Sequence, residues 1–140
     1  MNSTSKLFVY GTLRSEFHQH TASVVTEFFN LLGNARAKGM LYDLDEYPGA
    51  TVSDSDSFII GELYELKPAK DFDAAFKQLD DYEGYLVNSE KESLYLRKET
   101  EVLYENRICS AWMYWYNRDV YGKKIIESGD YLNWLAIKNN

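Results

Sequence analysis

Two long runs in the second half of the chain, "SLYLRKETEVLYE" (93–105) and "ICSAWMYWYN" (108–117), limit the possible folds more than any other feature. Both are rich in aromatic and aliphatic residues. Asn106 and Arg107 separate them, so they predict an antiparallel hairpin. In the second run Ile108, Ser110, Trp112, Tyr114 and Tyr116 share one face by the two-residue alternation of a strand. A lone hairpin is marginal in water, so this one needs further strands or a helix to cover it.

The remaining segments supply such partners. Leu7–Tyr10 and "FIIGELYEL" (58–66) read as strands, Gly61 marking a bulge or a close backbone approach. "ARAKGMLYDL" is a strand candidate around Gly39, "EYPGA" reads as a turn, and "SDSDS" reads as a short surface loop. "TASVVTEFFNLLG" has apolar residues at helical spacing, with Thr21 as N-cap and Gly33 as stop. "DFDAAFKQLDDYEGY" places Phe72, Ala75, Phe76 and Leu79 on one helical stripe that ends at Gly84, and "SGDYLNWLAIK" predicts a terminal helix. Strands and helices do not alternate regularly, and neither a G-x-G-x-x-G nor a G-K-[ST] loop occurs. The pattern predicts one α+β domain over 1–140, a curled or barrel-like sheet with helices packed on it.

Composition excludes several functions. The net charge is −7 and the basic residues are scattered, so no stripe grips a phosphate backbone, and nucleic acid is not an expected partner. No apolar run reaches membrane-spanning length and "MNSTSK" is no signal peptide, which makes a cytoplasmic location the expectation. Cys109 is the sole cysteine and reads as a buried, inert thiol. His18 and His20 are two apart, which does not suit ligands on one helical face, and no cofactor or metal is expected.

One carboxylate stands out. At about 100° per residue, Glu83 falls between Phe72 and Phe76 on the helical wheel, whereas Asp81 points away and Asp80 lies on the flank. A carboxylate on an apolar face is desolvated, its pKa rises, and it suits general acid–base work near neutral pH. The alternative is a helix-end Glu that frays outward or pairs with a basic residue such as Arg97.

"VYGTLR" (9–14), "LDDYEGY" (79–85), "LYLRKETEV" (94–102) and "AWMYWYN" (111–117) occur in that order. Together they resemble the gamma-glutamylcyclotransferase-like family, which includes gamma-glutamylamine cyclotransferase and the plant avirulence-induced-like proteins. The resemblance implies a small mixed barrel-like sheet with flanking helices and a cavity. It implies that Tyr10, Gly11, Thr12 and Leu13 bind the glutamyl end of a substrate through backbone amides. It also implies that Glu83 is the catalytic glutamate. Tyr116 is the candidate for a late aromatic lining the cavity, with Tyr114 on the same predicted face as its rival. The implied reaction is cyclisation of a small gamma-glutamyl compound to 5-oxoproline, without cofactor or metal. A non-catalytic member binding a small molecule in the same cavity is the alternative. A third reading, a protein-contact surface on "AWMYWYN", requires Trp112 or Trp115 to be exposed.

Overall fold

The structure, a computed structural model, describes residues 4–11, 14 and 23–138. In chain order its elements are β1 (Lys6–Val9), α1 (Ser23–Phe28), β2 (Phe29–Lys38), β3 (Met40–Asp43), β4 (Pro48–Thr51), β5 (Phe58–Leu66), α2 (Phe72–Glu83), β6 (Tyr95–Tyr104), β7 (Arg107–Tyr116), β8 (Lys124–Ile125) and α3 (Tyr131–Lys138). Five strands close a barrel in the order β1-β5-β2-β6-β7, and β4-β3-β8 form a second, three-stranded sheet. All barrel pairs are antiparallel except β1 with β7, which closes the barrel in parallel at Leu7 and Trp112. The mixed barrel with flanking helices is the α+β class expected from the sequence.

The predicted hairpin is β6–β7, ten residues on each side, with Arg97 opposite Tyr114. Its turn residues are Glu105 and Asn106, one position earlier than the sequence places them. Both have positive φ (50° and 63°), the geometry that matches the twist of a two-residue hairpin. Gly61 is a close-approach glycine: a Cβ there would lie 2.2 Å from the Val9 carbonyl oxygen on the neighbouring β1.

Two local expectations fail. The helix predicted to reach Gly33 stops at Phe28, and Phe29 begins β2, whose register runs from Phe29 opposite Leu66 to Lys38 opposite Phe58. Ten residues of strand pairing outweigh the helical spacing, and Leu31 and Leu32 end up exposed. Gly33 sits at the irregularity in that ladder, not at a helix end, and Thr21 lies outside the described residues. The turn assigned to "EYPGA" falls earlier, at 44–47, where Leu44 N–H donates to the Tyr47 carbonyl at 3.0 Å and Asp45 takes φ 82°. Pro48 then starts β4, an end position where its missing N–H is tolerated.

The two faces of the barrel strands carry different cores. Phe8, Ile59, Leu63, Val102, Met113 and Trp115 pack together on one face. Leu7, Val9, Tyr64 and Tyr114 turn to the other, where Ala75, Phe76 and Leu79 of α2 cover them. Trp115 is thus buried, and Trp112 lies half-buried beside Phe72 and Phe76, which argues against an exposed tryptophan surface. Cys109 is half-buried, and burial pushes its thiol above the ordinary value. His18 and His20 lie outside the described residues.

Candidate active site

The last turn of α2 is fixed by a chain of contacts that begins at Asp80. Asp71 caps the helix start by accepting from Ala74 N–H, and Gly84 ends it in the left-handed conformation (φ 73°). Gly84 and Tyr85 N–H both return to the Asp80 carbonyl, the latter at 2.9 Å. The Asp80 carboxylate is buried. It accepts from Arg97 Nε (2.8 Å), Arg97 Nη2 (3.2 Å) and the Tyr114 hydroxyl (2.6 Å). The Arg97 guanidinium stacks over Phe76 and Trp112, 4.8 Å and 4.6 Å from the ring centroids. Arg97 therefore belongs to Asp80, which leaves Glu83 without the basic partner that the alternative sequence reading offered it.

Glu83, three residues beyond Asp80, lines a cavity of about 310 Å³. The walls are the end of β1 (Phe8, Val9) with Tyr10 and Gly11, the end of α2 (Tyr82, Glu83), Leu94 with Tyr95 and Tyr114 of the hairpin, Glu46 and Tyr47 from the β3–β4 connection, and Pro48 at the start of β4. Glu83 is half-buried and makes no hydrogen bond or ion pair with another described residue. Burial among these rings pushes its carboxyl from 4.5 up to about 8. At neutral pH the group is mostly protonated but within about one pH unit of its midpoint, so it can give a proton and take one back.

The tyrosines around it have other work for their protons. Tyr10 donates to the Tyr114 carbonyl at 2.6 Å, Tyr95 to the Pro48 carbonyl at 2.7 Å, and Tyr114 to Asp80. Burial drives all three hydroxyls well above their ordinary values, with the Glu83 charge adding to the effect at each. They present ring faces and fixed dipoles, and Glu83 is left as the inner group that can move a proton. Among the described residues no three His, Cys, Asp or Glu side chains gather as a metal site.

Of the residues singled out in the sequence, Glu83, Tyr10 and Gly11 meet in this cavity. Thr12 and Leu13 lie outside the described residues. Gly11 approaches Pro48 so closely that a Cβ would sit 2.8 Å from its Cγ, and the Gly11 carbonyl accepts Arg14 N–H at 3.0 Å. Tyr114, not Tyr116, is in the lining. Tyr116 stands beside it, edge-on to Tyr95 at 5.4 Å. Sequence reading missed Asp80, Tyr95, Glu46 and Arg14. Arg14 is buried and its Nη1 donates to Asp130 at 2.9 Å, tying the loop after β1 to the residue that caps α3. Cross-strand register was the available signal for Asp80, because it sets Arg97 and Tyr114 side by side facing the helix.

Comparison with known proteins gives a consistent set of matches. Residues 7–133 match the family model described as gamma-glutamyl cyclotransferase, AIG2-like. The chain is 33% identical over 131 residues to the gamma-glutamylcyclotransferase family protein YtfP of Escherichia coli K12, covering 91% of this chain and 96% of that one. The crystal structure of YkqA from Bacillus subtilis superposes with a TM-score of 0.72 at 26% identity; the match covers 98% of this chain and 43% of YkqA, so this chain spans less than half of that protein. A mouse AIG2-like protein shares the fold at a TM-score of 0.66 and 19% identity, covering 92% of this chain and 90% of that one.

Proposed function

The chain belongs to the gamma-glutamyl cyclotransferase, AIG2-like family, and from that premise we propose that it converts a gamma-glutamyl amine or amino acid to 5-oxoproline and the free amine, with Glu83 as general acid–base. The observation that carries this reading is the Glu83 carboxyl, which has no partner among the described residues and is pushed up to about 8 in an aromatic cavity. The substrate's α-nitrogen enters as an ammonium and attacks the γ-carbonyl after losing a proton. The new bond joins the α-nitrogen to the γ-carbon, and the bond from that carbon to the leaving nitrogen breaks. Two protons leave the α-nitrogen and two reach the leaving nitrogen, so one carboxylate relaying them in turn ends in its starting state. Nucleophile and carbonyl share one molecule, so binding the folded-back conformer supplies much of the acceleration. Amides of the Tyr10–Leu13 segment suit the substrate carboxylate or the developing oxyanion.

The test is 5-oxoproline release from gamma-glutamyl amino acids, gamma-glutamylamines and gamma-glutamyl-ε-lysine. Activity should vanish in Glu83→Gln while the protein stays folded. A folded wild-type protein with no product from any of them overturns the enzyme reading, and full activity in Glu83→Gln overturns the role of that residue.

A further inference from the structure

The cavity has a second carboxylate that the cyclisation does not use. Glu46 lines the rim from the 44–47 turn, is exposed, and makes no side-chain hydrogen bond or ion pair with another described residue. Its backbone is well held. The Glu46 carbonyl accepts the Tyr131 hydroxyl of α3 at 3.5 Å. The Asp45 N–H donates to Asp43 at 2.8 Å, and Asp43 in turn accepts from Trp134 (2.9 Å) and Lys138 (2.8 Å). Tyr47 flanks Glu46 in sequence, and Tyr82 joins the same lining from α2. No Lys or Arg is among the described lining residues. The cavity thus pairs an inner carboxylate with an outer one, and aromatic rings lie along the same wall.

In the cyclisation the leaving nitrogen must stand beside Glu83 to receive its protons, so the group attached to that nitrogen extends away from Glu83 and out through the open rim. We propose that Glu46, with Tyr47 and Tyr82, selects the leaving group by charge, favouring amines with a second, cationic nitrogen at their far end over neutral ones and disfavouring those that end in a carboxylate. The assignment rests on the cyclotransferase reading above. A carboxylate and two aromatic side chains in one lining attract an ammonium, and the carboxylate repels an anion at the same distance.

Three substrates of similar length test it: gamma-glutamyl-diaminobutane, gamma-glutamyl-pentylamine and gamma-glutamyl-aminobutanoate. For an exposed charge at low salt, kcat/KM should favour the diamine over the pentylamine by about fivefold, with the aminobutanoate lowest. Added salt should shrink the preference, Glu46→Gln should bring the ratios close to one, and Glu46→Lys should invert them. Turnover that ignores charge, or a preference that survives Glu46→Gln, overturns the rim assignment and leaves the cyclisation standing. If none of the three is turned over, the cyclotransferase reading fails for them, and calorimetric binding of the same compounds decides the rim alone. Affinity ordered by charge in the wild type and levelled in Glu46→Gln supports the assignment, whereas charge-blind or absent binding overturns it.

Discussion

Glu83 should make the protein less stable as pH rises, and replacing it should relieve the loss. In the unfolded chain its carboxyl ionises at the ordinary value of 4.5, whereas burial in the fold holds it protonated up to about 8. Between those values the native state carries the extra proton, so the stability difference between native and unfolded chain falls with pH across that window. Below pH 4.5 both states are protonated and the group is neutral in its effect; above pH 8 the penalty is complete. At about 1.4 kcal/mol per pH unit, the loss reaches roughly 3 kcal/mol at pH 7. Glu83 keeps some surface to the cavity, and screening there reduces the expected effect to about 2 kcal/mol. Glu83→Gln has the same shape and cannot ionise. Thermal unfolding of both proteins from pH 4 to 9 should therefore give coincident Tm values at the acid end. A gap should then open through the window, to roughly 6 °C at pH 7 and wider at pH 8, in favour of Glu83→Gln, taking about 3 °C per kcal/mol for a chain of this size. Parallel curves, or a variant less stable than wild type at pH 8, would refute the claim that Glu83 is desolvated.

Asp80→Ala leaves the Arg97 guanidinium and the Tyr114 hydroxyl without their shared acceptor and should cost about 3 kcal/mol, read as a lower urea midpoint. It should also lower kcat, because Asp80 anchors the turn that carries Glu83. Tyr10→Phe removes the buried donor to the Tyr114 carbonyl and should cost about 2 kcal/mol in the same measurement. In Gly11→Ala the new methyl meets Pro48 at 2.8 Å, so the cavity wall must shift; calorimetry should show weakened substrate binding with a stability loss of about 1 kcal/mol.

Features set by contact along one element were legible in the sequence. The hairpin, the β5 strand with its close-approach Gly61 and the α2 helix with its Gly84 stop all follow from periodicity and local punctuation. What failed was the choice between two periodicities in a short apolar stretch. Phe28, Phe29 and Leu32 satisfy a helical stripe, yet only long-range pairing with β5 determines that the chain turns extended at Phe29. Barrel closure through β1 and β7 joins residues over a hundred positions apart, and no local pattern encodes that contact.

The site divides along the same line. The helical wheel isolates Glu83 because its neighbours in space are its neighbours on the helix. The wheel misjudges Asp80 for the complementary reason: on the helix it is a flanking acid, but the hairpin brings Arg97 and Tyr114 to it and makes it a buried anchor. The strand alternation is equally blind between Tyr114 and Tyr116, since both point to the same face. The position of the cavity along the strand separates them: Tyr114 lies level with the end of α2, while Tyr116 stands one residue pair farther, against Tyr95 and Gly49. The two acids of "LDDYEGY" that matter thus do opposite jobs. Asp80 is ion-paired with Arg97 and holds the helix end down; Glu83 has no partner among the described residues and is kept near neutrality. The first allows the second, because a carboxylate left without a partner stays in an aromatic cavity only if the turn that carries it is fastened elsewhere.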